Sequence, residues 1–284
     1  TPCLFYTSEF VGENVACLYS LAEKRLYNLI LPDPPIRSRH LIGSSNGWLV
    51  TADEKSELHI LNPITVITIE HLELIFENVG AIKEYGLWDP DSETTTHALD
   101  KLRDCLYLKA FVFPDPSTGS YIVVLLHDPV GHLSFARVGD CKWILLPGLD
   151  YEQCIHMDGL FYAFTRAGRV YTFEFSGPTI MSNIIAHEME NYICGMDVYM
   201  YVVQAPWGDL LQVCRKSKVT EELLVQTEKI LLYKADMAAK KLVEVNGLHD
   251  HVLFLGRSQT QCLNVEDYPQ LKKNCVYFTD DETY

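Results

Sequence analysis

The sequence has no Cys-x-x-Cys pair, no Gly-x-Ser-x-Gly elbow, no phosphate-cradling glycine loop and no His-Glu-x-x-His. Each absence removes a chemistry that needs those residues at fixed spacing, although a triad scattered along the chain would escape such a search. No Asn-x-Ser/Thr glycosylation acceptor occurs. No apolar run approaches the roughly eighteen residues of a membrane helix. Positive charge is also scarce. Lys and Arg number 23 against 38 Asp and Glu, a formal charge of −15. Such a chain repels phosphate backbones, which excludes general binding to nucleic acid or to an anionic membrane.

Nine cysteines are present, at 3, 17, 105, 141, 154, 194, 214, 262 and 275. An odd count, with several inside apolar runs such as Asp104-Cys105-Leu106-Tyr107, suits buried thiols in a reducing compartment. A cytoplasmic or nuclear location is expected, with a mitochondrion or plastid as the alternative. No signal or transit peptide is visible, and the chain starts at Thr1 without Met, so an upstream segment is expected.

What the sequence does have is aromatic residues, 16 Tyr and 12 Phe among 284 residues, which favours sheet. Short strands alternate with turns. Gly159 to Phe164 is followed by Thr165-Arg166-Ala167-Gly168 and then Arg169 to Phe175, where Tyr171, Phe173 and Phe175 share one face. Period two after a Gly-containing turn predicts a β-hairpin. Comparable units begin at Ala16, Gly47, Tyr121 and Tyr199, and a last group follows His251.

The strands gather into groups near 42–73, 104–147, 154–185, 192–245 and 249–279. Self-contained groups of this size predict a single all-β domain over 1–284, a β-propeller with four-stranded blades. Five blades are counted, over 42–279, and six are possible because 65–100 is hard to parse. The leftover hairpin, 15–31, is expected to close the ring beside 249–279, which would remove exposed sheet edges. Two segments look different. Thr94 to Cys105 has helix-like spacing of Leu99, Leu102 and Leu106, and polar, Glu-rich Thr220 to Lys229 suggests a surface loop or short helix.

Three stretches carry a resemblance. One is Asp250 to Ser258 with Tyr268-Pro269-Gln270-Leu271 and Asn274 to Asp281. The others are His156 to Ala163 with Gly168-Arg169-Val170-Tyr171, and Gly43 to Thr51 with Leu61-Asn62-Pro63. With weaker matches between them, residues 15 to 281 resemble the propeller of plant F-box proteins of the KIB type. Where that family often has Trp before Val-Glu-Val, this chain has Leu242. The resemblance implies a propeller that follows an N-terminal F-box. In such proteins the F-box binds a Skp-type adaptor of a cullin ubiquitin ligase, and the propeller captures the protein substrate. An F-box would lie upstream of Thr1.

Candidate sites are few. His249 and His251 would share a strand face, but a metal needs a third ligand. Cys154 and His156 are spaced as a thiol–imidazole pair could be, and the same spacing fits strand packing. His127, Asp128 and His132 straddle a turn. No catalytic, cofactor-binding or metal-ligating residue is therefore assigned. Trp48 and Trp143 lie in apolar strand context and are expected in the core. Trp88, in Gly86-Leu87-Trp88-Asp89-Pro90, and Trp207, in Ala205-Pro206-Trp207-Gly208, lie among turn formers. Loop tryptophans supply large contact area, so Trp88 and Trp207 are the candidate partner-binding residues.

The expected function is protein binding as the substrate-recognition domain of an SCF-type ligase. The alternatives are an F-box-free scaffold or assembly subunit, possibly organellar, and more remotely a hydrolase or lyase on a propeller.

Overall fold

A computed structural model describes residues 3–65, 67–72, 82–83, 94–95, 102–115, 117–128, 130–140, 142–177, 179–188, 198–219, 225–256 and 259–278. Contacts divide the chain into two compact units, Thr1–Leu149 and Asp150–Tyr284.

The first unit begins with an antiparallel sheet of β1 (Cys3–Thr7), β2 (Val15–Ser20) and β3 (Arg25–Ile30). The predicted hairpin over 15–31 thus gains a third strand. A four-stranded sheet follows, β4 (His40–Ser45), β5 (Trp48–Ala52), β6 (Leu58–Asn62) and β7 (Ile67–Leu72), in chain order. Then come a two-stranded ribbon of β8 (Ile82–Lys83) and β9 (Thr94–Thr95), and the helical turn α1 (Leu102–Cys105). The helix expected over 94–105 is therefore confined, among the described residues, to its last four positions. Thr94 and Thr95 instead pair with Lys83 and Ile82. The unit ends with a sheet of β10 (Tyr107–Pro114), β11 (Tyr121–His127), β12 (His132–Arg137) and β13 (Ile144–Leu145).

Its core joins β4, β5 and β6 to α1 and to β10, β11 and β12, through Ile42, Val50, Ile60, Leu102, Val112, Val123 and Ala136. All five residues of β5 are buried. Burying side chains such as these contributes roughly 1.5–3 kcal/mol each, before the entropy of ordering them is subtracted. The approach of β4 to β10 is close enough to exclude a side chain at Gly43, where an added Cβ would lie 2.0 Å from the Ala110 carbonyl oxygen.

The second unit contains two four-stranded sheets, again in chain order. One is β14 (Tyr151–Met157), β15 (Leu160–Thr165), β16 (Val170–Glu174) and β17 (Met181–Ala186). The other is β18 (Val198–Gln204), β19 (Leu210–Val219), β20 (Val225–Asp236) and β21 (Lys241–Glu244). Residues 225–229 are thus strand, correcting the loop or helix expected over 220–229. Their polar side chains belong to a long ladder in which Lys216 faces Lys229 and Ser217 faces Thr227. The unit closes with β22 (His251–Leu255), β23 (Gln261–Asn264) and β24 (Cys275–Phe278), in the order β23-β22-β24.

Local chemistry explains the turns. Asp158 and Gly159 both take positive φ, 52° and 79°, and join Met157 to its partner Leu160. That two-residue turn matches the twist of the flanking strands. In β15, Tyr162 and Phe164 face one cluster with Met157, Met200 and Leu231. Tyr201, Val203, Val213, Leu253 and Leu255 make the next. Gln153 ties β14 to β18 with an Nε2–H donated to the Met200 carbonyl at 2.6 Å.

Candidate functional site

The most distinctive exposed group lies on the turn between β18 and β19. The Gly208 N–H donates to the Ala205 carbonyl at 2.9 Å, and the Ala205 N–H to the Asp209 carbonyl at 2.8 Å. Pro206 presets its own φ, and Gly208 adopts φ +94°, which a side chain would resist. The tip is therefore rigid, and Trp207 on it keeps 46% of its surface exposed.

Two neighbours hold this indole. Its Nε1–H donates to Asp209 Oδ2 at 2.8 Å. Asp209 Oδ1 in turn pairs with Lys234 Nζ at 2.8 Å. The ring meets His251 edge to face, with centroids 4.7 Å apart and planes at 67°. Burial works to raise the Asp209 carboxyl, but the hydrogen bonds from Lys234 and Trp207 outweigh it and hold the group below its usual range. The result is an aromatic anchor that has already lost much of its rotamer freedom, so a partner would bind it at lower entropic cost. Asp250, next to His251 in sequence, pairs with Lys273 at 3.3 Å. His251 Nδ1 is buried without a hydrogen-bond partner among the described residues.

The other predicted groups are placed as follows. Trp88 lies outside the described residues. Trp48 is 7% exposed and meets Tyr121 edge-on, and Trp143 packs against the same cluster. His249 stands in a turn at φ 52°, before β22 begins, so it does not share a strand face with His251. Cys154 is buried on β14, and His156 lies two residues on, with its pKa lowered by burial. Opposite them on β15 stand Ala163 and Phe161, which is a packing environment. His127 is 4% exposed, with Nε2 at 2.9 Å from Ser134 Oγ and Nδ1 at 2.9 Å from the Asp128 carbonyl. Burial lowers its pKa, so it serves as a neutral bridge inside its sheet.

One constellation escaped the sequence reading. Asp53, Glu57 and His59 bring ligand atoms within 4.8 Å of one another at the β5–β6 turn. A divalent cation could in principle use this set. The carboxylate of Asp53, however, is engaged in its own turn. Oδ1 accepts the Lys55 and Glu57 N–H groups at 2.9 Å each, and Oδ2 faces His59 Nε2 at 3.1 Å. Burial pushes its pKa up, but His59 and the turn amides prevail and lower it. The signal available in the sequence was an Asp immediately after a strand, a common turn opener.

A family model described as the KIB1-4 beta-propeller matches residues 18–284. The chain belongs to this family. The KIB1-4 propeller is also 24% identical over 268 residues to the Arabidopsis thaliana F-box protein KIB4. That alignment covers 87% of this chain and 61% of the relative, so the chain spans less than two thirds of that protein's length. Among solved structures, it is similar to the Cps50 (Swd1) β-propeller domain of Myceliophteria thermophila. The TM-score is 0.40 and the identity 10%, over 81% of this chain and 66% of that one. A chain in the S. cerevisiae complex of dbp5 with nup159 and gle1 gives 0.43 and 10%, over 94% and 71%. Neither structural likeness is strong enough to support a functional argument. The family match places the strands of both units in a β-propeller fold.

Proposed function

We propose that this KIB1-4 propeller is the substrate-recognition part of an F-box protein acting in an SCF-type ubiquitin ligase. The observation that carries the reading is the family match over nearly the whole chain, together with a relative that is itself an F-box protein. A Skp-type adaptor and a cullin would be engaged through an F-box elsewhere in the natural protein. The propeller contributes rigid loops, the usual place for binding groups. Trp207 is the contact residue, because it combines exposure with a fixed orientation. The work is binding, with no catalytic role, and its setting is the cytoplasm or nucleus. Ring closure through residues 15–31 and 249–279 forms part of the same proposal.

The test is affinity purification of the natural-length protein from its own tissue, followed by mass spectrometry. Adaptor and cullin peptides, with substrate candidates lost from a Trp207→Ala bait, are the expected result. An organellar complex without any adaptor would overturn the ligase role and favour a scaffold or assembly subunit.

A further inference from the structure

Two Asn-Gly pairs occur in this chain, and the structure gives them opposite surroundings. Asn46-Gly47 is the two-residue turn between β4 and β5, with φ 51° and 81°. The Asn46 side chain is tethered, donating from Nδ2 to the Val112 carbonyl at 3.0 Å and to Ser45 Oγ at 3.3 Å. Asn246-Gly247 lies in the irregular link between β21 and β22. Asn246 is exposed, and its amide makes no hydrogen bond among the described residues. Gly247 carries no side chain to shield its backbone nitrogen, and its φ is +133°.

We propose that Asn246 is a site of spontaneous deamidation, whereas Asn46, with the same neighbour, is protected. The Gly247 backbone nitrogen, having given up its proton to solvent base, attacks Asn246 Cγ. The new N–C bond closes a five-membered succinimide as the C–N bond to the side-chain amide breaks, and ammonia leaves with a proton from water. Water then opens the ring at one of its two carbonyls. Opening at one restores a normal backbone and leaves Asp at this position. Opening at the other leaves an isoaspartyl residue, with one extra methylene in the main chain. No oxidant, metal or enzyme is needed. At Asn46 the same attack requires the side chain to leave the Val112 carbonyl and the tight turn to open.

The position of Asn246 gives the change a structural consequence. Gly247 packs so closely on Asn274 that an added Cβ would lie 2.9 Å from its Oδ1. The next residue, Leu248, donates its N–H to that same Oδ1 at 2.8 Å, and its side chain is 3% exposed within the core shared with Leu253 and Leu255. The Asn274 N–H donates to the His251 carbonyl at 2.9 Å. Lengthening the main chain by one atom at 246 pulls on this seam, where β22 and β24 are joined.

The experiment is incubation of the whole folded chain at mildly alkaline pH, with timed peptide mapping that distinguishes Asn, Asp and isoaspartate. Conversion at 246 should exceed that at 46 by roughly tenfold or more, the rate factor for releasing one or two hydrogen bonds of ordinary net strength. The aged protein should melt at a lower temperature, while an Asn246→Gln variant aged alongside should keep its original midpoint. Unfolding the chain in denaturant should bring the two sites to similar rates. Equal conversion of both sites in the folded chain, or an intact Asn246 when the denatured chain converts, would overturn the proposal.

Discussion

Trp48 and Trp207 both adjoin a turn glycine with positive φ, yet one is core and the other surface. Trp48 follows Gly47 and is the first residue of β5, and Trp207 precedes Gly208 and sits on the tip itself. A residue that enters the strand takes the strand's alternation, and on β5 the face of Trp48, Val50 and Ala52 enters an apolar cluster. A residue on the tip is outside the pleat, so single contacts rather than strand packing restrain it. For Trp207 these are Asp209 and His251. Standing after rather than before the turn glycine separates a packed ring from an exposed one.

This contrast can be broken at four points. Trp48→Ala removes a large buried ring and its edge-on contact with Tyr121, and should cost about 3–5 kcal/mol in denaturant unfolding. Trp207→Ala should leave unfolding almost unchanged but weaken capture of the protein partner by about 2 kcal/mol, roughly thirtyfold in affinity by titration calorimetry. If instead Trp207→Ala unfolded the protein as Trp48→Ala does, the two positions would be equivalent and the binding role would fail. Gly208→Ala places a Cβ in open space but at φ +94°. The expected loss is about 1–2 kcal/mol of stability from backbone strain alone.

The smallest effect is at Asp209. Its folded carboxyl lies below the usual range, so its pairing contributes stability above the unfolded carboxylate pKa and loses it as pH falls through the folded value. Asp209→Asn should therefore cost well under about 1 kcal/mol near neutrality, as suits a partly exposed ion pair. The variant and the parent should converge in acid, as read from melting temperatures across a pH series.

Most of the sheet plan was legible in the sequence because the pairings are local. Groups at 42–73, 104–147, 154–185 and 192–245 each became a four-stranded sheet, since consecutive antiparallel strands write their own period and turns. The pieces that failed have other causes. β1 lies at the very start, in a run too short to show alternation before its partner is known. Val225 to Lys229 is polar on both faces because it extends a long ribbon, and polarity alone suggested a loop. At the candidate site, Trp207 was visible as a tryptophan among turn formers. Its bond to Asp209, that carboxylate's pairing with Lys234 and the ring contact with His251 were not, because they join three strands and the start of a fourth. The Asp53–His59 pair was missed because a turn separates its members, and register alone brings them together.

One pairing differs from all the rest. β22 and β24 run parallel, Val252 beside Cys275 and Phe254 beside Tyr277, while every other pair among the described strands is antiparallel. Hairpins form as soon as their two arms exist, but a parallel neighbour must wait for a crossover to be completed. In folding, Val252 and Leu253 can meet Leu263 and Cys262 across a short link before the longer crossover brings Cys275 to Phe278 alongside. The last sheet is therefore expected to pass through a bare two-stranded ribbon. Residues that end with 0% and 1% exposure are uncovered on that side for as long as it lasts. On refolding from denaturant, this is the stage at which the apolar side of the last sheet is open to association with another chain.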